Sequence, residues 1–262
     1  MAFDPDSQRL QIPAEGVTAD RASRPDHRGV LVLASLVTLA LWYVPYSDYF
    51  LYPLRLLVTF VHEGGHALAA VLTGGSVESL TVYANGEGVT YTRTASWARG
   101  IVLSGGYLGT TLFGAALLQV GRLRGVRNPG RAALYALAAM LVAITILWAH
   151  NPLTNAFTYA AGFALATLLA LSAVYLPPSA ADFAASFLAV QVLLNALGDL
   201  RSLLRLTTDG QRHNDAGFMA EQYWLPATFW ALAWAALAVV ILIVALRSAW
   251  RRADTNTPGT RA

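Results

Sequence analysis

The chain contains no cysteine and no lysine, and only 13% of its 262 residues are charged. The first absence removes disulfides, thiolate nucleophiles and cysteine-held metals together. The second removes Schiff-base and lysine-nucleophile chemistry, leaving arginine as the only fixed side-chain cation. A soluble domain carries about a quarter of its residues charged. The shortfall, with 56% hydrophobic residues, marks a chain that needs lipid as part of its solvent. The net charge of +3 is small and the arginines cluster near the ends of apolar runs. That pattern belongs to membrane topology and excludes nucleic acid as the expected partner.

Seven apolar runs have lengths near those a bilayer requires, at about 29–44, 51–73, 97–120, 131–149, 155–176, 182–206 and 225–247. The expected fold class is therefore an all-α polytopic membrane bundle of about six to seven transmembrane helices. Residues 1–28 are polar and proline-punctuated and read as a disordered tail, too long and too charged for a signal peptide. Residues 29–248 form the one membrane domain, and 249–262 a polar C-terminal tail.

One segment breaks the helical pattern. Ser76 to Arg93 alternates β-branched and polar residues around Asn85-Gly86, a strong hairpin-turn signal. A small β-hairpin is expected there, buried against protein or held at the interface because lipid cannot satisfy a free sheet edge. Such an edge can also accept an extended peptide by strand addition. Further on, Ser104-Gly105-Gly106-Tyr107-Leu108-Gly109 and Gly114 give a small-residue surface on which two helices can approach closely in lipid.

The chemistry concentrates at His62-Glu63-Gly64-Gly65-His66, inside the second apolar run. Histidines four apart share one helix face, about 6 Å apart along the axis, so both imidazoles reach one ion. Two imidazoles and an open position suit Zn2+, and the intervening glutamate can take a proton from a zinc-activated water. Ionisable groups at membrane depth are costly and mark function.

Two histidines need a third protein ligand, and only a few residues offer one: Asp199, His213, Asn214, Asp215, His150, Asp182 and Asp48. Spans two and six run in the same direction if every span crosses. His66 lies eight residues before Gly74, and Asp199 eight before Thr207. Both then sit about 12 Å from one membrane face. This depth match favours Asp199 as the third ligand, with Asn195 one turn earlier orienting it or holding substrate. Asp215 and His213, just beyond the span, are the alternatives.

The sequence resembles the membrane-embedded zinc metalloproteases of the site-2 protease class, the M50 peptidases, and more narrowly their M50B-like group. The likeness rests on His62-Glu63-Gly64-Gly65-His66-Ala67-Leu68-Ala69-Ala70, Thr73-Gly74-Gly75, Gly88-Val89-Thr90, Ser104-Gly105-Gly106-Tyr107-Leu108-Gly109 and Asn214-Asp215-Ala216. It implies zinc on His62, His66 and Asp199, with Glu63 as catalytic base. It also implies a membrane protein or peptide as substrate, and a hairpin that presents an extended segment of it. The expected activity is intramembrane peptide hydrolysis. A non-catalytic membrane scaffold or transport-related protein, and a lipid-amide or lipid-ester hydrolase using the same site, are the alternatives.

The alanine-rich, arginine-only composition points to a multi-pass protein of a bacterial plasma membrane. Orientation is pulled both ways. Arg122, Arg124, Arg127 and Arg131, with Arg247, Arg251 and Arg252, place two segments inside and the N-terminus outside. Arg21, Arg24 and Arg28, together with a site opening to the cytoplasm as the resemblance implies, place the N-terminus inside.

Overall fold

The computed structural model describes residues 47–120, 126–208 and 214–254, with isolated positions between 29 and 44; side chains at 47–48, 195–208 and 249–254 are excepted. The tail expected over 1–28, most of the first apolar run and the last residues of the C-terminal tail lie outside the described residues. In chain order the elements are α1 (Ser47–Leu72), β1 (Ser76–Val82), β2 (Gly88–Arg93), α2 (Arg99–Val120), α3 (Pro129–Trp148), α4 (Ala156–Tyr175), α5 (Pro178–Thr208), α6 (Asp215–Gln222) and α7 (Ala227–Asp254).

Among the described residues, four helical segments are long and apolar enough to cross a membrane: Arg99–Val120, Pro129–Trp148, Ala156–Tyr175 and Ala227–Ser248. These four do not by themselves confirm the expected count of six to seven. Helix α1 carries Asp48, Arg55, Glu63 and two histidines within its 26 residues. Helix α5 runs for 31 residues, and among those whose side chains are described Pro178–Leu194 is an apolar stretch.

Local chemistry sets the helix boundaries. Proline opens α3 and α5, where its missing N–H costs nothing. Helix α1 closes at Gly74 with φ 81°, where the Gly75 amide bonds back to the Ala70 carbonyl at 2.8 Å. The core is built from one apolar face of α3 (Leu134, Leu137, Leu141) against α4 (Leu165, Leu169) and Phe60 of α1, all buried.

Helix α1 lies almost backbone to backbone on α2. A Cβ added to Gly65 would come within 2.3 Å of the Gly105 carbonyl oxygen, and one on Gly105 within 2.8 Å of that of Gly65. The small-residue surface read from the sequence is therefore the seam between the metal-motif helix and its neighbour.

The hairpin forms as expected: β1 and β2 pair antiparallel, with Val82 opposite Gly88, Leu80 opposite Thr90 and an irregularity between Val77 and Ser79. The turn spans 83–87, with Gly86 at φ 86°. The outer edge of β1 is not left open. The Val82 amide donates to Thr158 Oγ1 at 2.9 Å, and the Thr158 hydroxyl donates to the Val82 carbonyl at 3.1 Å. His150 Nδ1 donates to the Glu78 carbonyl. Helix α4 and the turn before it thus supply the partners that lipid could not.

Candidate metal centre

The hairpin is tied to one face of α1 by side chains at helical spacing. Tyr52 bonds the Ala84 carbonyl at 2.7 Å, Arg55 that of Asn85 at 2.8 Å, and Thr59 that of Gly86 at 2.8 Å. One turn further, Thr90 Oγ1 donates to Glu63 Oε2 at 2.7 Å. Residues 52, 55, 59 and 63 fall on one stripe of a 3.6-residue helix, so strand and helix are zipped up to the motif itself.

His62 and His66 project from the adjoining face, with ring centroids 4.9 Å apart. The ring of His66 is fixed by Nδ1 donating to the Val102 carbonyl of α2 at 2.7 Å. That bond assigns the proton to Nδ1 and leaves the Nε2 lone pair pointing into the site. The ring of His62 is held edge-on by Tyr107 at 4.8 Å, and Tyr107 stacks on Trp234 of α7 at 5.2 Å. Trp234 in turn donates Nε1–H to Ser104 Oγ at 3.0 Å.

The carboxylate that meets these imidazoles is Asp215. Its Oδ2 lies 3.1 Å from His62 Nε2 and 3.2 Å from His66 Nε2. Asp215 reaches the site because α6 starts there. The Asn214 side chain caps the helix by accepting from the Gly217 amide at 2.9 Å, and the first helical residue then faces α1. Asp215 was the alternative third ligand in the sequence reading. The side chains of Asp199 and Asn195, the favoured ligand and its helper, lie outside the described residues, as does His213.

The donor set fits a tetrahedral dication. Ligands at the 2.0–2.1 Å bond lengths of zinc sit about 3.3 Å from one another, close to the distances from Asp215 Oδ2 to the two nitrogens. The three ligand atoms all lie within 4.8 Å of one another. With the His66 proton on Nδ1, its Nε2 faces the Asp215 carboxylate oxygen, an arrangement relieved either by a cation between them or by a second proton on the ring. Gly106 of α2 leaves the room: a Cβ there would be 2.4 Å from both Nε2 atoms. Glu63 and His66 are buried, whereas His62 and Asp215 keep partial exposure.

A separate apolar cavity of about 850 Å³ lies beyond Gly64 and Gly65, between α1, α2 and α3, with Trp97, Leu108 and Trp230 on its walls. None of His62, Glu63, His66 and Asp215 lines it.

Two features are not expected from the sequence: the short helix α6, although Asn214-Asp215-Ala216 is part of the family likeness, and the contact of Thr90 with Glu63, although Gly88-Val89-Thr90 is part of it too. Residues 32–245 match the family model described as Peptidase M50B-like. No curated protein and no solved structure gives a match. With the match covering most of the chain and enclosing the His62-Glu63-His66 helix, the hairpin and Asp215, the protein belongs to the M50B-like family of membrane metallopeptidases.

Proposed function

We propose that the chain is a zinc metallopeptidase that cleaves peptide bonds of membrane-associated substrates at bilayer depth, with His62, His66 and Asp215 as metal ligands and Glu63 as general base. The observation that carries this reading is the convergence of two Nε2 atoms and one carboxylate oxygen over Gly106, one residue from a buried glutamate. Helix α1, at 26 residues, is about 39 Å long and crosses the bilayer despite its charges. Arg55, Glu63, His62 and His66 face the hairpin, α2 and α6 instead of lipid.

Zinc bound by these ligands supplies a Lewis acid for the attacking water and for the scissile carbonyl. The residues do the rest. Glu63 accepts a proton from the water as it attacks, and returns it to the departing amine nitrogen. The Val102 carbonyl keeps His66 in the ligating tautomer, and Tyr107 holds the His62 ring. Burial of Glu63 and His66 keeps bulk water out of the reacting volume.

The hairpin supports a peptide substrate in particular. The outer edge of β1 is taken by Thr158 and His150, so β2 offers the edge for strand addition. Tyr83 donates to Glu87 across the turn, and the alternation of an antiparallel ladder then points the amides and carbonyls of Gly88 and Thr90 outward. Among the described residues they have no partner. An extended peptide laid there runs past Glu63.

The test is Glu63→Gln in purified, zinc-loaded protein. The variant retains zinc and loses about 10²–10⁴-fold in turnover of a membrane peptide, the usual worth of a positioned base. Full activity in that variant refutes the assignment. Parallel incubation with lipid extracts separates proteolysis from lipid-amide or lipid-ester hydrolysis, and absence of bound metal favours a scaffold.

A further inference from the structure

Glu63 is held by the hairpin as well as by its own helix. The Thr90 hydroxyl donates to Glu63 Oε2 at 2.7 Å and lies 3.2 Å from the Glu63 main-chain carbonyl. With one hydrogen to give, it serves the carboxylate, the nearer and charged acceptor. Gly88 confines the same side chain from two residues away. A Cβ there would stand 2.6 Å from Glu63 Cγ and 2.7 Å from Oε1. The remaining ties along α1, from Tyr52, Arg55 and Thr59, keep the strand in register with the helix that carries the base. Thr90 therefore turns its hydroxyl to Glu63 while its main chain forms part of the open edge of β2.

We propose that Thr90 is a positioning residue that fixes the Glu63 carboxylate and couples its alignment to the seating of an extended peptide on β2. The proposal rests on the peptidase reading above. A glutamate has three side-chain torsions, and a base must lie within hydrogen-bond reach of the proton it takes. Engaging Oε2 leaves Oε1, beside Gly88, without a hydrogen bond from Thr90 and able to accept the proton. A strand that docks through the Thr90 main chain presses on the same residue that aims the base. Misplacement of a catalytic group by about 1 Å can cost about 10²-fold.

The experiment compares Thr90→Val with Thr90→Ser in the full chain, reconstituted in lipid and loaded with zinc. Valine keeps the β-branched shape and removes the hydroxyl, and serine keeps the hydroxyl. Three quantities are read: kcat and KM for a membrane peptide, zinc content, and the infrared carboxylate band of Glu63, assigned by its disappearance in Glu63→Gln. The expected result is a kcat lowered about 10–100-fold in Thr90→Val with KM and zinc content unchanged. The carboxylate band shifts in that variant, and Thr90→Ser restores both kcat and the band position. If Thr90→Val does not fold, Gly88→Ala pushes a methyl into Glu63 with the hydroxyl intact, and the same loss of kcat is expected. Wild-type kcat in Thr90→Val, a loss that serine does not restore, or an unshifted band overturns the proposal. A chain that cleaves no peptide yet shows the shifted band overturns the peptidase reading instead.

Discussion

Replacing Gly106 by alanine puts a methyl group where the structure leaves room for an ion. The new Cβ would stand 2.4 Å from His62 Nε2, 2.4 Å from His66 Nε2 and 2.6 Å from His62 Cε1. Carbon and nitrogen without a bond between them rest at about 3.5 Å, so both rings must withdraw by about 1 Å. Neither can do so freely, because His66 is bound to the Val102 carbonyl and His62 packs against Tyr107. Zinc sites tolerate about 0.2 Å in ligand distance. Outer-shell changes alone typically cost 10–100-fold in metal affinity. Displacing two ligands should exceed that, at about 100-fold or more, or about 2.7 kcal/mol. The assay is zinc titration against a competing chelator, with thermal unfolding in detergent as the control for folding. Gly109→Ala is the companion variant, since its Cβ meets only the Gly65 Cα, at 3.3 Å, and it should keep the metal. Wild-type zinc affinity in Gly106→Ala refutes the placement of the ion.

Other outcomes follow from the supports of the site. Asn214→Ala removes the cap of α6 and should cost about 1 kcal/mol in stability. Because Asp215 is the next residue, chelator competition should show weaker zinc binding as well, and a loss of stability alone would separate the cap from the site. Thr158→Val strips both hydrogen bonds from the Val82 main chain and should destabilise the fold by about 1–3 kcal/mol, read by chemical denaturation. Hydrogen exchange should show the Val82 amide losing protection in that variant, and unchanged exchange there contradicts the account of the closed β1 edge.

The parts of this molecule that were legible from sequence are those set by short-range patterns. His62, Glu63 and His66 declare themselves by helical spacing inside an apolar run. Asn85-Gly86 declares the turn, and the strands fall on either side of it as expected. Ser104 to Gly109 declares a close helix contact, and Gly65 is its counterpart. The contact of Asp215 with the histidines was less legible, since matching depths along straight helices counts residues from a membrane face. That reasoning follows a span to its end but does not see a short capped helix fold back toward the site. Depth points to Asp199, whose side chain lies outside the described residues, and α6 brings Asp215 to the two histidines. The link from Thr90 to Glu63 depends on how the hairpin lies along α1, and a tertiary placement of that kind leaves no periodic signal. The number of spans is less legible: among the described residues length and composition together single out four helices, and Arg55, Glu63 and two histidines keep α1 from being one of them.

The central claim is a zinc ion shared by His62, His66 and Asp215. X-ray absorption at the zinc edge of the purified protein, taken with metal stoichiometry in Asp215→Ala, tests it directly. The account predicts one zinc per chain bound by two imidazole nitrogens and carboxylate oxygen at about 2.0–2.2 Å, and loss of that zinc in the variant. Full zinc occupancy with an unchanged absorption spectrum in Asp215→Ala would contradict it.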